Sequence, residues 1–432
     1  HKLRQAANEP KQKNSQSVWH NQSTDQIGLN GRRVLLPSGR GSGGTDRLSF
    51  LVWDPPSPGD FDDWQIPGWG YQDIWPYISK AEEMLKPQKF DLSTLEDNFW
   101  EITEELGFTA SQSSLLLNRS GRQSISETYM RAFAYNSNLA QRHRVHVLNL
   151  LFKEERVVGV RAYWEDSDEV REIRANKEII LCAGALRSPQ ILLLSGIGPA
   201  KHLRQKGLHC RVPLEAVGQN LQDHITISFQ FEASDQLNRR GKGFFNRGPS
   251  IENTATMQAN LFEDFMLQLW PEIKWGSGRY TELRLVWCQS GNRGSVRLRT
   301  TDGIDQPLIN PNYLGDERDI EAMKHGVETL KAYVDHSKWP LPYYSTLKID
   351  RVDERRMRKL VVPAWNYVGT CKMGTDPKDS VVDPHCRVHG VENVRVVDAS
   401  VIPLNPGRMP MAHVVAAAEK CAADILGVKA QQ

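Results

Sequence analysis

Residues 177–198, KEIILCAGALRSPQILLLSGIG, constrain the fold of this chain more than any other stretch. A short, β-branched apolar run leads to Gly184, which marks a turn. Ser188-Pro189 then reads as an N-cap followed by proline at the first helical position. The apolar run QILLLSG continues that helix and closes at Gly196. A buried strand turning directly into a buried helix is the unit from which a doubly wound sheet is built.

The chain on either side changes character in steps. Residues 1–32 are rich in Gln, Asn, Lys and Ser and read as a disordered tail, with order starting at 33. YQDIWPYISKAEEML has helical spacing at Ile74, Tyr77, Ile78, Ala81 and Met84 and ends before Pro87. Residues 91–108 carry a second helical pattern through Phe99, Ile102 and Leu106, and residues 126–142 a third. After Arg144 the runs HRVHVLNLLF and RVVGVRAYW read as strands. ELRLVWCQ and GSVRLRT alternate, which predicts antiparallel strands. DERDIEAMKHGVETLKAYVDH is an amphipathic helix. NVRVVDAS reads as a strand and AHVVAAAEKCAADILG as a helix capped by Gly427. The fold class is therefore α/β, turning α+β in the second part. Helical patterns cluster at about 70–142, and the alternating, antiparallel patterns fall within 225–361.

Several function classes fall away. Lys and Arg number 54 against 52 Asp and Glu, a net charge of +2 in 432 residues. That balance argues against a nucleic-acid partner. No apolar run approaches the roughly 20 residues of a membrane-spanning helix. The six cysteines are scattered without a CxxC, so neither a zinc site nor a disulfide scaffold is expected, and no metal is assigned. Asp223-His224 could join a charge relay, yet no Gly-x-Ser-x-Gly elbow supplies a serine. Asp62 and Asp63 read as a solvated loop. Trp53, Trp64, Trp69 and Trp75 read as packing rather than a sugar platform. The basic stretch 239–248, RRGKGFFNRG, reads as a surface loop over a substrate entrance. Asn21 and Asn118 begin Asn-x-Ser sequons.

Four separated blocks carry a resemblance. They are GRGSGGTDRLSFLVWD (39–54) followed by GDFDDW (59–64), GALRSPQILLLSGIGP (184–199), VGQNLQDH (217–224), and VGTCKMG (368–374) with VVDPHCRVHGVENVRVVDASVIP (381–403). In this order they resemble the glucose–methanol–choline (GMC) family of FAD-dependent oxidoreductases. GDFDDW and VGTCKMG look most like its animal, glucose-dehydrogenase-like members. The resemblance implies that 33–224 and 362–432 form a Rossmann-like FAD-binding domain and 225–361 a substrate-binding domain. It implies hydride transfer from a small-molecule alcohol to FAD, with a separate electron acceptor. It places Gly43, Gly44 and Thr45 on the phosphate–ribityl side of the cofactor, Gly184 and Ala185 in close backbone approach, and Asp398 and Ala399 beside the flavin. Ser49 stands where the family has a flavin-facing Asn.

The departures from the family pattern are as informative. The position of the family's proton-abstracting His is Asn366, which hydrogen-bonds but accepts no proton at neutral pH. The second catalytic position falls at Met409 or Met411. His413 beside it is the titratable candidate, with a role-free helix N-terminal residue as the alternative. Ser42 replaces the family's Leu. The N-terminal strand–GxGxxG–helix fingerprint is missing, so the FAD domain is expected to be incomplete. Residues 39–44 match GxGxxG literally, but TDRLSFLVW directly after them is not a helix start. The middle of the chain reads as shortened. This leaves two main expectations: an active alcohol oxidoreductase, or a catalytically impaired paralogue or truncated fragment that acts as a binding or structural protein. A family lyase that keeps FAD structurally is a third, weaker one. The family's animal members and the sequons point to an extracellular location; oligomeric state is open.

Overall fold

The computed structural model describes residues 17–428, apart from 50–51, 90, 119–120, 235, 238–256, 262–264, 276–277 and 344–348. The basic stretch 239–248 lies outside the described residues. Order begins earlier than the composition suggests. Strand β1 (Val18–Gln22) pairs antiparallel with β2 (Leu35–Gly39), inside the region expected as a tail. Its anchor is polar. Asn21 is only 1 % exposed and donates through Nδ2 to the Leu36 carbonyl and to Ser38 Oγ. A buried amide with partners leaves no apolar signature in the sequence. The same burial seals the Asn21 sequon against glycosylation.

Helices α1 (Tyr71–Leu85) and α2 (Thr94–Glu105) form where their apolar spacing places them. A Ser93–Glu96 capping box starts α2, with the Ser93 N–H donating to Glu96 Oε2 at 2.7 Å. Strand β3 (Thr109–Gln112) follows. Helix α3 (Ile125–Arg131) stops short of the expected 142. Beyond it Phe133, Tyr135 and Leu139 are exposed. A helix takes most of its stability from packing an apolar face, and here there is none to pack against.

Three antiparallel strands come next, β4 (Val145–Lys153), β5 (Arg156–Trp164) and β6 (Glu169–Arg174), in the order β6-β5-β4. Strand β7 (Ile179–Leu181) pairs in parallel with β13 (Val394–Val396), and α4 (Gly184–Leu194) leaves its end. This is the strand–turn–helix unit expected from residues 177–198, but the helix starts at Gly184, not at Pro189. Proline inside a helix frees the carbonyl four residues back. That carbonyl, on Ala185, accepts the Thr370 hydroxyl at 2.6 Å. Ser188 is no cap: its Oγ accepts the Ala183 N–H and donates to Asp398.

The second half is built on a six-stranded antiparallel sheet in the order β12-β8-β11-β10-β9-β3. It comprises β8 (Ile225–Glu232), β9 (Met257–Leu261), β10 (Phe265–Trp275), β11 (Gly278–Trp287) and β12 (Val362–Pro363), besides β3. Two of its strands, β3 and β12, come from outside 225–361. Helix α2 and helix α5 (Glu317–Asp335) cover it through a core that includes Phe99, Phe229, Leu267, Leu285 and Leu330. A second core gathers Phe61, Trp69, Ile78, Leu192 and Val396 against helix α6 (Met411–Leu426). Each such fully buried side chain contributes about 1.5–3 kcal/mol. Trp53, Trp64 and Trp69 are buried as packing residues, while Trp75 is 40 % exposed. A disulfide joins Cys386 to Cys421, 35 residues apart, a covalent tie that the scattered cysteine spacing did not suggest.

Candidate functional site

A cavity of about 1660 Å³ opens between the two cores. Its wall takes the loop after β2, the start of α4, one face of the six-stranded sheet, and residues 362–367, 397–399, 409–411 and 414–415. Gly43, Gly44, Thr45, Ser49, Gly184, Ala185, Asp398, Ala399 and Asn366 all line it. Gly44 (φ +52°) and Gly184 (φ +78°) take left-handed backbone angles, and a Cβ on either would meet nothing within 4 Å. Both glycines therefore present bare backbone to open space. Residues 39–44 are followed by a 3-10 turn, Gly44–Leu48, and the strand before them belongs to the β1–β2 hairpin. The literal GxGxxG string is thus not a strand–helix turn of a parallel sheet.

Asp398 braces the centre. Its Oδ2 accepts the Gly184 N–H at 2.9 Å and the Ser188 hydroxyl at 2.5 Å, and its Oδ1 accepts the Ser400 N–H at 2.8 Å. It ties the end of β13 to the start of α4.

Asn366 is held from behind by three groups. Its N–H donates to Asp223 Oδ1 at 2.6 Å, and its Nδ2 donates to Met409 Sδ at 3.2 Å. The third contact fixes the amide. His224 Nε2 lies 2.9 Å from the Pro406 carbonyl, an acceptor, so Nε2 carries the proton and Nδ1 is bare. Nδ1 then takes Asn366 Nδ2–H at 3.1 Å. The Asn366 Oδ1 is left as an acceptor without a protein partner among the described residues, on the cavity wall. Of the two methionines expected near the second catalytic position, Met409 touches Asn366.

His413 sits elsewhere. It is fully buried, stacked on Phe61 with centroids 5.2 Å apart, and is not part of the cavity wall. Its Nε2 is 3.5 Å from Asp60 Oδ2, within reach of a charge interaction, and neither ring nitrogen has a hydrogen-bond partner among the described residues. Burial pushes the Asp60 carboxyl up, but the neighbouring His413 and the Ser57 N–H and hydroxyl outweigh it and hold the group down at about 2.

The pair behind Asn366 stood in the sequence as the last two residues of VGQNLQDH and as a charge-relay candidate without a serine. Burial pushes the Asp223 carboxyl up to about 7, although the Tyr313 hydroxyl and the backbone N–H groups around it pull the other way. Burial pushes His224 down to about 4. In the folded chain both are neutral between these values. The signs of the linked stabilities oppose each other. The raised Asp223 contributes stability that is full below about pH 4, its unfolded value, and is lost as pH rises through about 7. The depressed His224 contributes stability that is full above roughly 6.5 and is lost as pH falls through about 4. His224→Gln removes the second contribution while Oε1 can still accept from Asn366. The variant's unfolding free energy is expected to fall from about pH 4.5 to 7 more steeply than the parent's, by urea denaturation at each pH. Equal slopes would exclude the assigned neutral pair.

Comparison with known proteins places this geometry in context. The N-terminal profile of the GMC oxidoreductases matches residues 15–226 and the C-terminal profile residues 290–418. Oxygen-dependent choline dehydrogenase of Photobacterium profundum is 26% identical over 474 aligned positions, covering 95% of this chain and 83% of that protein. The Sinorhizobium medicae protein of the same name is 28% identical, with 95% and 85% covered. The first alignment is longer than the chain, so it opens gaps within it. Among solved structures, pyridoxine 4-oxidase from Mesorbium loti superposes with a TM-score of 0.81 at 22% identity, covering 95% of this chain and 89% of that one. Formate oxidase of Aspergillus oryzae RIB40 does so with 0.84 at 20%, covering 96% and 89%. These two share the fold.

Proposed function

The chain belongs to the GMC oxidoreductases, FAD-dependent oxidoreductases of CH–OH donors, and on that premise we propose that it oxidises a small polar alcohol with Asn366 as the hydroxyl-binding residue. Bound FAD supplies the acceptor for the hydride leaving the alcohol carbon. The residues present fit such a group. The cavity exceeds the roughly 300–1,000 Å³ of ordinary small-ligand pockets, and Gly44 and Gly184 leave open space where a large cofactor needs close approach. Gly43, Gly44, Thr45, Ser49, Gly184, Ala185, Asp398 and Ala399 would hold it.

One observation carries the substrate reading: the locked Asn366 amide aims an acceptor into the cavity. It receives the alcohol O–H and orients the carbon. It takes no proton, and His224 behind it has both ring nitrogens engaged. The sheet side of the cavity supplies polar contacts. Thr226 Oγ is buried without a partner among the described residues, and Arg284 lies over the Trp270 ring at 4.1 Å and pairs with Glu282 at 2.8 Å. The lack of a base beside Asn366 favours a second reading, a GMC protein with impaired turnover. An electron acceptor must return the cofactor to its oxidised state in either case. An extracellular placement is supported by the Cys386–Cys421 disulfide, since such bonds persist in oxidising compartments.

The test is spectroscopic. The FAD-loaded chain is mixed anaerobically with a series of small alcohols, and the visible flavin absorption is followed. Bleaching by an alcohol is the expected result, with a rate that separates a slow enzyme from a fast one. An FAD-loaded chain that no alcohol bleaches would leave only the impaired reading.

A further inference from the structure

The cavity is far more basic than the chain that encloses it. Eight arginines and lysines line it against three carboxylates, in a protein whose net charge is +2. The three carboxylates are already engaged. Asp398 braces α4, Asp46 accepts the Ser124 hydroxyl and the Ile125 N–H, and Glu165 is shared by Arg40, Arg144 and His146. Arg187 is left without one. Its guanidinium donates to Gln190 Oε1 at 2.8 Å and to the Asp305 carbonyl at 3.1 Å, and no carboxylate among the described residues pairs with it. It lies over the Trp19 ring at 4.4 Å, and Arg40 lies over the same ring at 4.8 Å.

We propose that Arg187, with Arg40 beside it, binds the diphosphate of the FAD through side-chain charge. The inference rests on the reading that FAD is the cofactor. Three observations support it. The backbone alternative is narrowed: at the start of α4 the Ala183 N–H is bonded to Ser188 Oγ and the Gly184 N–H to Asp398, so these two of the first four N–H groups are not free for phosphate. A partly buried cation beside a second cation, without a counter-charge, is costly unless an anion joins it. Burial, aided by the Arg40 charge, pushes the Arg187 guanidinium down to about 10, in the same direction. Finally, the Trp19 face holds a planar guanidinium in a fixed orientation, the condition for two parallel N–H bonds to phosphate oxygens.

Binding of ADP, riboflavin and FAD to the purified chain, by calorimetry and flavin fluorescence, tests this. Arg187→Gln is expected to weaken ADP and FAD by roughly 10- to 100-fold and to leave riboflavin, which has no phosphate, unchanged. The dependence of affinity on salt should flatten in the same variant. Arg187→Lys should recover part of the loss. Unchanged ADP and FAD affinities overturn the proposal, and so does an equal loss of riboflavin, which would mark Arg187 as a support of the pocket. A parent chain that binds riboflavin but not ADP sinks this inference alone. One that binds ADP but not riboflavin sinks the flavin reading alone.

Discussion

Asn366→His is expected to raise kcat/KM for alcohol oxidation by about 10²–10⁴-fold, the usual contribution of a positioned general base. Removing a hydride from an alcohol carbon leaves a hydroxyl proton that must go somewhere, and in the proposed binding mode it meets the Asn366 amide oxygen. The support for an imidazole is already in place. His224 Nδ1 is a bare acceptor 3.1 Å from the Asn366 amide nitrogen, and Asp223 holds the backbone at 2.6 Å. A ring at 366 would donate one N–H to His224 and turn its other nitrogen to the cavity. Its rate profile should then gain an inflection near the imidazole value of roughly 6.5. The measurement is steady-state turnover of the FAD-loaded variant across pH. An unchanged rate in a variant shown to hold FAD would mean that the alcohol proton does not leave at position 366.

Asp398→Ala is expected to destabilise the chain by about 3–5 kcal/mol, because it strands three donors at once and each buried orphan costs roughly 1–3. Those donors are the Gly184 N–H, the Ser188 hydroxyl and the Ser400 N–H. The loss should be larger than for Asp398→Asn, whose one carbonyl oxygen still accepts. Urea unfolding of the three proteins checks it. A loss below about 1 kcal/mol would show that the start of α4 is held by other means, for instance by Thr370 on the Ala185 carbonyl.

The sequence was most readable where chemistry is local. Residues 177–198 announce strand, turn and helix because all three are apolar and consecutive. The start of α4 lies at Gly184 and not at Pro189 because its compensation is not local: the hydroxyl that rescues the Pro189 break comes from Thr370. Strand β1 was invisible because pairing and a buried amide hold it, not an apolar pattern. Residues 132–142 keep helical spacing but find no surface to cover. At the site, the motif blocks led to Gly43, Gly44, Gly184, Asp398, Asn366 and their neighbours, which do share one cavity wall, since short motifs encode the backbone positions themselves. They led equally to His413, which helix geometry turns into the core against Phe61. Arg187 and Arg40 were not singled out. Their meaning depends on Arg187 having no carboxylate partner among the described residues while lying beside Arg40, which no spacing expresses.

The orientation of the Asn366 amide also separates what enters the cavity from what leaves it. An alcohol brings a proton and satisfies Oδ1. The aldehyde or ketone made from it brings only lone pairs, so two acceptors would face each other across the same gap. In the proposed binding mode, oxidation thus converts an attraction into a repulsion at that atom. On the proposed reading, the protein recognises its reactant by a hydrogen that the reaction removes, and release of the product is written into the side of the amide that His224 selects.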